Sequence, residues 1–297
     1  MQRREQVDAR AAALLTLMCA VWAAGQVATK IGLAGISPNW QAGLRSAGSA
    51  LLVIAWARYR GAPLFRRDGT APAGVLCGAL FSLEFALLFV GLEYTTAARG
   101  VIFLYTAPFF VAIGAHLLIP GDRLTRPKVA GLSCAFCGVL LAVWSGLALP
   151  SREEMLGDLL CFLAAAAWAS TTICVKTTKL ATTSPEKTLL YQLGVAAIAL
   201  PVLGMLFGER GVFDPTAPVI AAFLFQMIFV TFATFLAWFW LISIYPATRL
   251  SAFTFLTPVI GVILGHIMLG EQVTVLMGLS LALIAAGIFL VNRPAAA

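Results

Sequence analysis

Residues 255–274 read FLTPVIGVILGHIMLGEQVT, and this stretch decides the fold because a near copy of it occurs earlier in the chain. Residues 104–125 read LYTAPFFVAIGAHLLIPGDRLT, with proline, histidine, glycine, an acidic residue and threonine in the same order. Pro108 therefore corresponds to Pro258. Each proline lies inside an apolar run and removes a backbone hydrogen bond one turn earlier. The two stretches indicate an internal duplication.

The duplication extends over the whole chain. A Trp-Ala pair, followed by a lysine after the same interval, occurs at Trp22 and again at Trp168. The run from 85 to 99 aligns without a gap to its counterpart in the second half. We therefore predict two homologous halves, residues 1–150 and residues 151–297.

The composition indicates a membrane protein. Of the 297 residues, 61% are hydrophobic and only 11% are charged, whereas soluble domains carry about 25% charged residues. Apolar runs of about 20 residues suit a helix that crosses the hydrocarbon core of a bilayer. Ten such runs are predicted, at 11–30, 37–57, 71–92, 97–119, 128–147, 156–176, 186–207, 217–243, 247–269 and 273–292.

The basic residues predict the orientation of these spans. Cytoplasmic loops carry an excess of Lys and Arg. If the N-terminus is cytoplasmic, most of the 20 basic residues fall on the cytoplasmic side, and only Lys30, Arg99, Arg152 and Arg210 fall outside. The net charge of +7 then reflects topology and not a nucleic-acid partner. Both termini are predicted to be cytoplasmic.

An odd number of spans in each half has a consequence for symmetry. The second half must enter the membrane upside down relative to the first. Inverted repeats are typical of secondary transporters, which bind substrate near the membrane midplane and expose it to alternate sides. The sequence thus predicts an all-α polytopic membrane protein with two inverted five-helix repeats around a central cavity.

Several motifs resemble a known family. They are LTPV at 256–259, LGEQVT at 269–274, and the Trp-Ala segments at Trp22 and Trp168. In these the chain is similar to the drug/metabolite transporter superfamily, in its EamA-type branch, and resembles YddG-type bacterial aromatic amino acid exporters. The resemblance implies export of small amphipathic metabolites, aromatic or neutral amino acids above all, across the bacterial inner membrane. Direction of transport follows from the resemblance alone.

The acidic residues that end the two quoted stretches differ between the halves. The first half has Asp122 where the second has Glu271. Both stand beside predicted helix starts, where a carboxylate can accept hydrogen bonds from free backbone N–H groups. We predict helix caps here and not a transport role.

Two ionisable residues lie inside predicted spans, Arg45 and Glu84. Both fall at a similar depth, about 12 Å from the outer surface at a rise of about 1.5 Å per residue, so an ion pair is predicted. Intramembrane ionisable residues are functional candidates, and Glu84 could instead bind a proton or a substrate ammonium group. If the ion pair is structural, neutralising Glu84 should harm folding more than specificity.

Aromatic and polar residues within the spans predict the wall of a substrate cavity. Trp22 and Trp168 lie mid-span, where a water-filled cavity can satisfy the indole N–H, although packing between helices explains them equally well. The two prolines are predicted hinges beside the cavity. The predicted cavity residues are Trp22, Gln26, Phe81, Glu84, Phe85, Tyr105, Trp168, Thr172, Phe232, Ser251 and Phe255.

Other function classes receive little support from the sequence. It contains no Walker A motif and no recognisable nucleophile–base or metal-ligand constellation. The six cysteines all lie in apolar runs, where cysteine acts as a small apolar residue. No cofactor, metal or nucleic acid is expected, lipid and a small-molecule substrate are the expected partners, and a monomer suffices. A membrane-embedded enzyme and a channel remain the alternatives from other classes.

Overall fold

The computed structural model describes residues 6–95, 97–144, 149–269 and 275–293. These residues are helical apart from their connections and one isolated β-bridge between Ile36 and Val212. The helices are α1 Ala9–Gly32, α2 Pro38–Arg60, α3 Ala71–Tyr94, α4 Ala97–Leu104, α5 Ala107–Leu118, α6 Arg126–Ala142, α7 Arg152–Thr177, α8 Pro185–Leu206, α9 Ala217–Phe225, α10 Phe235–Ile244, α11 Ala247–Phe253, α12 Leu256–Leu269 and α13 Val275–Asn292.

Six helical segments in the described residues are long and apolar enough to cross a membrane. They are α1, α3, α4 with α5, α7, α8, and α9 with α10. The sequence predicted ten spans, and α2 illustrates why this count is lower. It is long, but it buries Asn39, Gln41 and Arg45, and these polar residues lower its mean hydropathy.

Two predicted spans are interrupted shortly before the prolines that correspond between the two halves, Pro108 and Pro258. The chain turns at Tyr105 and Thr106 between α4 and α5, and again between α11 and α12. Hydrogen bonds between residues three apart replace the α-helical pattern there, as from Thr106 N to Phe103 O at 3.2 Å. Pro108 and Pro258 have no N–H to donate one turn back, so each removes one backbone hydrogen bond at its break.

A π-helix, Gln226–Thr234, joins α9 to α10 within one continuous helical segment. The corresponding part of the first half, within α3, is a regular α-helix. Hydrogen bonds between residues five apart define a π-helix, and such segments are often found at functional sites. Ser49 of α2 contacts this segment by donating a hydrogen bond to Met227 O at 2.7 Å.

The helices pack in a small number of extensive interfaces. α3 packs against α7 and α8, α2 against α8, and α6 against α13, while α1 contacts α9, the π-helix and α12. Gly131 and Gly287 bring α6 and α13 into backbone contact, because a Cβ on Gly131 would lie 2.6 Å from Gly287 O. Small residues of this kind allow close helix packing in membranes.

Carboxylates fix several helix ends. Glu209 accepts hydrogen bonds from Asn39 N at 3.1 Å and Trp40 N at 3.4 Å, which caps the start of α2. Asp122 accepts from Thr248 N at 3.1 Å, near the start of α11, and pairs with Lys128 at 2.8 Å. The predicted capping role is therefore confirmed for Asp122, although it caps a helix of the other half.

The two quoted stretches also contain His116 and Glu271. His116 accepts a hydrogen bond from Leu124 N at 3.3 Å, so it fixes the connection after α5. Glu271, the counterpart of Asp122, lies outside the described residues, and its predicted capping role stays a prediction.

Candidate substrate site

A buried polar cluster joins α1, α2 and the π-helix. Arg45 Nη1 donates a hydrogen bond to Gln226 Oε1 at 3.2 Å, and Thr29 Oγ1 donates to the same oxygen at 3.0 Å. Arg45 is 6% exposed and Gln226 is fully buried. An isolated buried guanidinium would be costly, so the amide oxygen and its position on the π-helix stabilise Arg45 inside the helix bundle.

Gln41 extends this cluster by one turn along α2. Its Nε2 donates to Thr29 O at 3.4 Å. Gly32 makes room for the two glutamines, since a Cβ at this position would lie 3.0 Å from Gln41 Cδ and 3.5 Å from Gln226 Nε2. The absence of a side chain at residue 32 thus lets the carboxamides of Gln41 and Gln226 approach the same point on α1.

Phe85 of α3 covers the cluster from the opposite side. The Arg45 guanidinium carbon lies 4.7 Å from the centre of the Phe85 ring, a cation–π contact. Glu84 is 8% exposed and interacts electrostatically with Arg45. Within the described ranges, however, no ion pair of 4.0 Å or less joins them, so the predicted direct contact is not formed in this conformation.

Four buried polar atoms of the cluster lack a hydrogen-bond partner among the described residues. Two are donors, Arg45 Nε and Gln226 Nε2, and two are acceptors, Glu84 Oε2 and Gln41 Oε1. Buried polar groups are nearly always paired, and each unpaired one needs an explanation. This set matches a ligand group that accepts hydrogen bonds at one end and donates them at the other.

An aromatic cluster joins α1, α7 and α10. Trp238 of α10 contacts Trp22 edge-on, with ring centres 5.7 Å apart, and stacks on Trp168 at 5.8 Å. Trp22 Nε1 also donates to Thr234 Oγ1 at 2.7 Å. The structure thus brings together the two repeat-related tryptophans through Trp238, and the indole of Trp22 is satisfied by protein.

A row of phenylalanines connects the polar cluster to the rest of the bundle. Phe81 lies 4.9 Å from Phe85 and 5.8 Å from Phe235, measured between ring centres. Phe232 packs against the main apolar core. An amphipathic molecule with its polar group at Arg45 would have aromatic rings beside its apolar part.

Other residues predicted for the cavity occupy different surroundings. Phe255 is completely buried and packs against Phe109 and Phe136, with ring centres 6.4 Å apart in both cases. Ser251 is also buried and donates to Thr248 O at 3.1 Å. Both therefore belong to the apolar core around α11 and α12 in this conformation.

The remaining residues predicted for the cavity differ in how exposed their side chains are. Tyr105 and Thr172 are buried, and Tyr105 lies in the main apolar core. Gln26 is exposed although it lies well inside α1.

Two surface cavities lie at the end of the bundle that the charge pattern predicts to be cytoplasmic. One, of about 260 Å³, borders Lys176, Leu180 and Phe239. The other, of about 530 Å³, lies between the connection after α2 and the start of α8. None of the predicted cavity residues lines either one.

Sequence reasoning did not identify Gln226 as a site residue. The signal for it was present, because Gln226 is the only amide or charged side chain between residues 217 and 244. Trp238 is a further residue that was not predicted for the site, and it is 5% exposed.

Comparison with known proteins agrees with this picture. The family model of the EamA-like transporter family matches residues 9–144 and again residues 155–293. The uncharacterized transporter YvbV of Bacillus subtilis is 29% identical over 95% of this chain and 92% of its own length. A solved crystal structure that shares 20% identity has the same fold, with a TM-score of 0.83 over 95% of this chain and 96% of that one.

Two similar proteins have names that mention a substrate. A probable amino-acid metabolite efflux pump of Salmonella typhimurium is 27% identical, and one of Escherichia coli is 25% identical, each over 93% of both chains. Long apolar helices around a buried polar cluster define a helical membrane protein with an enclosed polar site. The family match then identifies it, since this chain belongs to the EamA-like transporter family.

Proposed function

We propose that this protein is a secondary transporter that exports aromatic or neutral amino acids across the bacterial inner membrane. In this proposal residues 1–150 and 151–297 are inverted five-helix repeats, and both termini are cytoplasmic. Exchange of the two repeats between two conformations exposes a central site to each side in turn.

The observation that carries the proposal is a twofold pattern in the packing. Contacts between the two repeats recur when the roles of the repeats are exchanged. The contact of α3 with α7 corresponds in this way to the contact of α1 with the π-helix, and the contact of α5 with α7 corresponds to that of α1 with α12. The interfaces of α2 with α8 and of α6 with α13 each join equivalent helices of the two repeats, so this exchange leaves them unchanged. A pseudo-twofold axis between the halves accounts for all these pairs, and each half can then take the conformation of the other.

The helix breaks supply places where such a change can occur. They fall just before Pro108 in one half and Pro258 in the other, on opposite sides of the proposed axis. A broken helix has fewer backbone hydrogen bonds to lose when its two parts rotate. We assign the two breaks as hinges for opposite gates.

The polar cluster supports an amino acid as the substrate. An α-carboxylate can accept hydrogen bonds from Arg45 Nε and Gln226 Nε2, and an α-ammonium can donate to Glu84 Oε2 and Gln41 Oε1. All four are among the buried atoms that lack a partner within the described residues. The rings of Phe85 and Phe81 offer contact to an apolar side chain. The names of the two efflux pumps point to the same class of substrate.

Counterflow in proteoliposomes tests this function. Vesicles are loaded with unlabelled phenylalanine and diluted into labelled phenylalanine, and protein-free vesicles measure leakage. We expect transient, saturable accumulation that is suppressed by external neutral and aromatic amino acids. Absence of accumulation for every such amino acid would contradict the substrate class, and single-channel current steps or chemical conversion of the label would contradict the carrier mechanism.

A further inference from the structure

The 530 Å³ cavity beside the connection after α2 combines positive charge with an apolar wall. Arg66 and Arg67 lie at its rim, while Leu64, Leu190 and Tyr191 form part of its wall. Residues of the first half and of α8 thus contribute to the same cavity. It is separate from the polar cluster around Arg45, whose residues do not line it.

The charges around this cavity are unevenly matched. Lys187 Nζ donates to Asp68 Oδ2 and to Arg66 O, both at 2.7 Å. The Lys187 and Thr70 hydrogen bonds hold the pKa of Asp68 well below its usual range, so Asp68 is charged at neutral pH and balances Lys187. The side chains of Arg66 and Arg67 are exposed and form no ion pair within the part of the chain that the structure describes. The cavity therefore has two unbalanced positive charges.

The surroundings of this cavity are typical of the level of lipid headgroups. Phe65 lines it and is 74% exposed. Tyr59 and Trp56, near the end of α2, are also exposed, and exposed aromatic side chains concentrate at membrane–water interfaces. A dissolved anion gains nothing from Phe65, Leu64 or Leu190, whereas a phospholipid can place its phosphate at the arginines and its acyl chains on the apolar wall.

We propose that this cavity binds the headgroup of an anionic phospholipid at the cytoplasmic surface. The phosphate lies at the guanidinium groups of Arg66 and Arg67, which can each present two parallel N–H donors to phosphate oxygens. Basic pockets between transmembrane helices bind anionic headgroups in this way. Because the wall includes Tyr191 and Leu190 of α8, the bound lipid also connects the two halves of the chain.

Native mass spectrometry of the purified protein tests the proposal, with added phosphatidylglycerol or phosphatidylcholine as the probe. The wild type should retain one phosphatidylglycerol in preference to phosphatidylcholine. The double variant Arg66→Gln/Arg67→Gln should retain it about 30-fold less, since each basic residue near an anionic surface contributes on the order of a fivefold effect. Arg66→Lys/Arg67→Lys should restore much of the retention.

The matched control is Arg58→Gln/Arg60→Gln, which removes the same charge from the exposed end of α2 outside the cavity. It should retain phosphatidylglycerol nearly as well as the wild type. Equal loss in both double variants would overturn the site, because diffuse surface charge would then explain the binding. Equal retention of phosphatidylcholine, or displacement of the lipid by millimolar inorganic phosphate, would also overturn it.

Discussion

Arg45 and Gln226 are joined by a hydrogen bond of 3.2 Å between α2 and the π-helix. This contact relates a charged residue of the first half to a neutral one of the second. The position that corresponds to Arg45 in the second half is Gln192, so the polar cluster is present on only one side of the proposed axis. The candidate substrate site is therefore asymmetric, although the packing of the helices around it follows a twofold pattern.

Gln226→Leu should weaken amino acid transport by about tenfold or more, because it removes a hydrogen bond to a charged group and a donor to the substrate carboxylate. The measurement is the concentration dependence of counterflow. Gln192→Leu is the matched control, since Gln192 is equally buried but lies outside the cluster. If both variants transport alike, Gln226 has no part in binding.

Glu84→Gln should fold normally and lose about tenfold or more in transport of zwitterions, because the ammonium group loses its counter-charge in a buried site. The sequence led to the opposite expectation, a loss of folding. Arg45 is held by Gln226 and Phe85 instead, so it does not depend on direct contact with Glu84. Thermal unfolding and gel filtration separate the two results, and a misfolded variant would support the structural ion pair.

Pro258→Ala should lower the maximal transport rate several-fold while the half-saturating concentration stays nearly constant. The alanine restores an N–H that can bond one turn back and straighten the break between α11 and α12. Pro201→Ala is the control, because Pro201 lies inside α8 without a break. A change in affinity without a change in maximal rate would argue against a hinge.

Gly287→Ala should destabilise the protein by about 1–3 kcal/mol, as overpacking does. The added Cβ would lie 2.5 Å from Gly131 O, at the backbone contact between α6 and α13. Gly278→Ala in the same helix meets nothing within 4 Å and should leave the melting temperature almost unchanged. Equal melting temperatures for the two variants would contradict the close approach of these helices.

Features that arise from local backbone chemistry could be predicted from the sequence. A proline lacks the N–H that continues an α-helix, so Pro108 and Pro258 indicated where a span could break, although Pro201 lies inside α8 without a break. The cap at Asp122 followed from the need of a helix start for acceptors, although the sequence could not show that the capped helix belongs to the other half.

Features that depend on packing between distant segments could not be predicted. The π-helix is stabilised by partners such as Ser49 of α2 and Trp22 of α1, which lie far away in the sequence. Phe255 is a residue type that suits a cavity wall, yet it is completely buried and packs against Phe109 and Phe136. Helical spacing shows which residues share a face, but it does not show what that face meets.

The most direct test of the central claim compares three molecules that share one aromatic ring. Competition by phenylalanine, phenethylamine and phenylpropionate is measured against labelled phenylalanine in wild-type proteoliposomes. The account predicts that phenylalanine competes strongly and that each of the others, which lacks the carboxylate or the ammonium group, competes at least tenfold more weakly. Equal competition by all three would contradict a site that recognises both ends of the zwitterion.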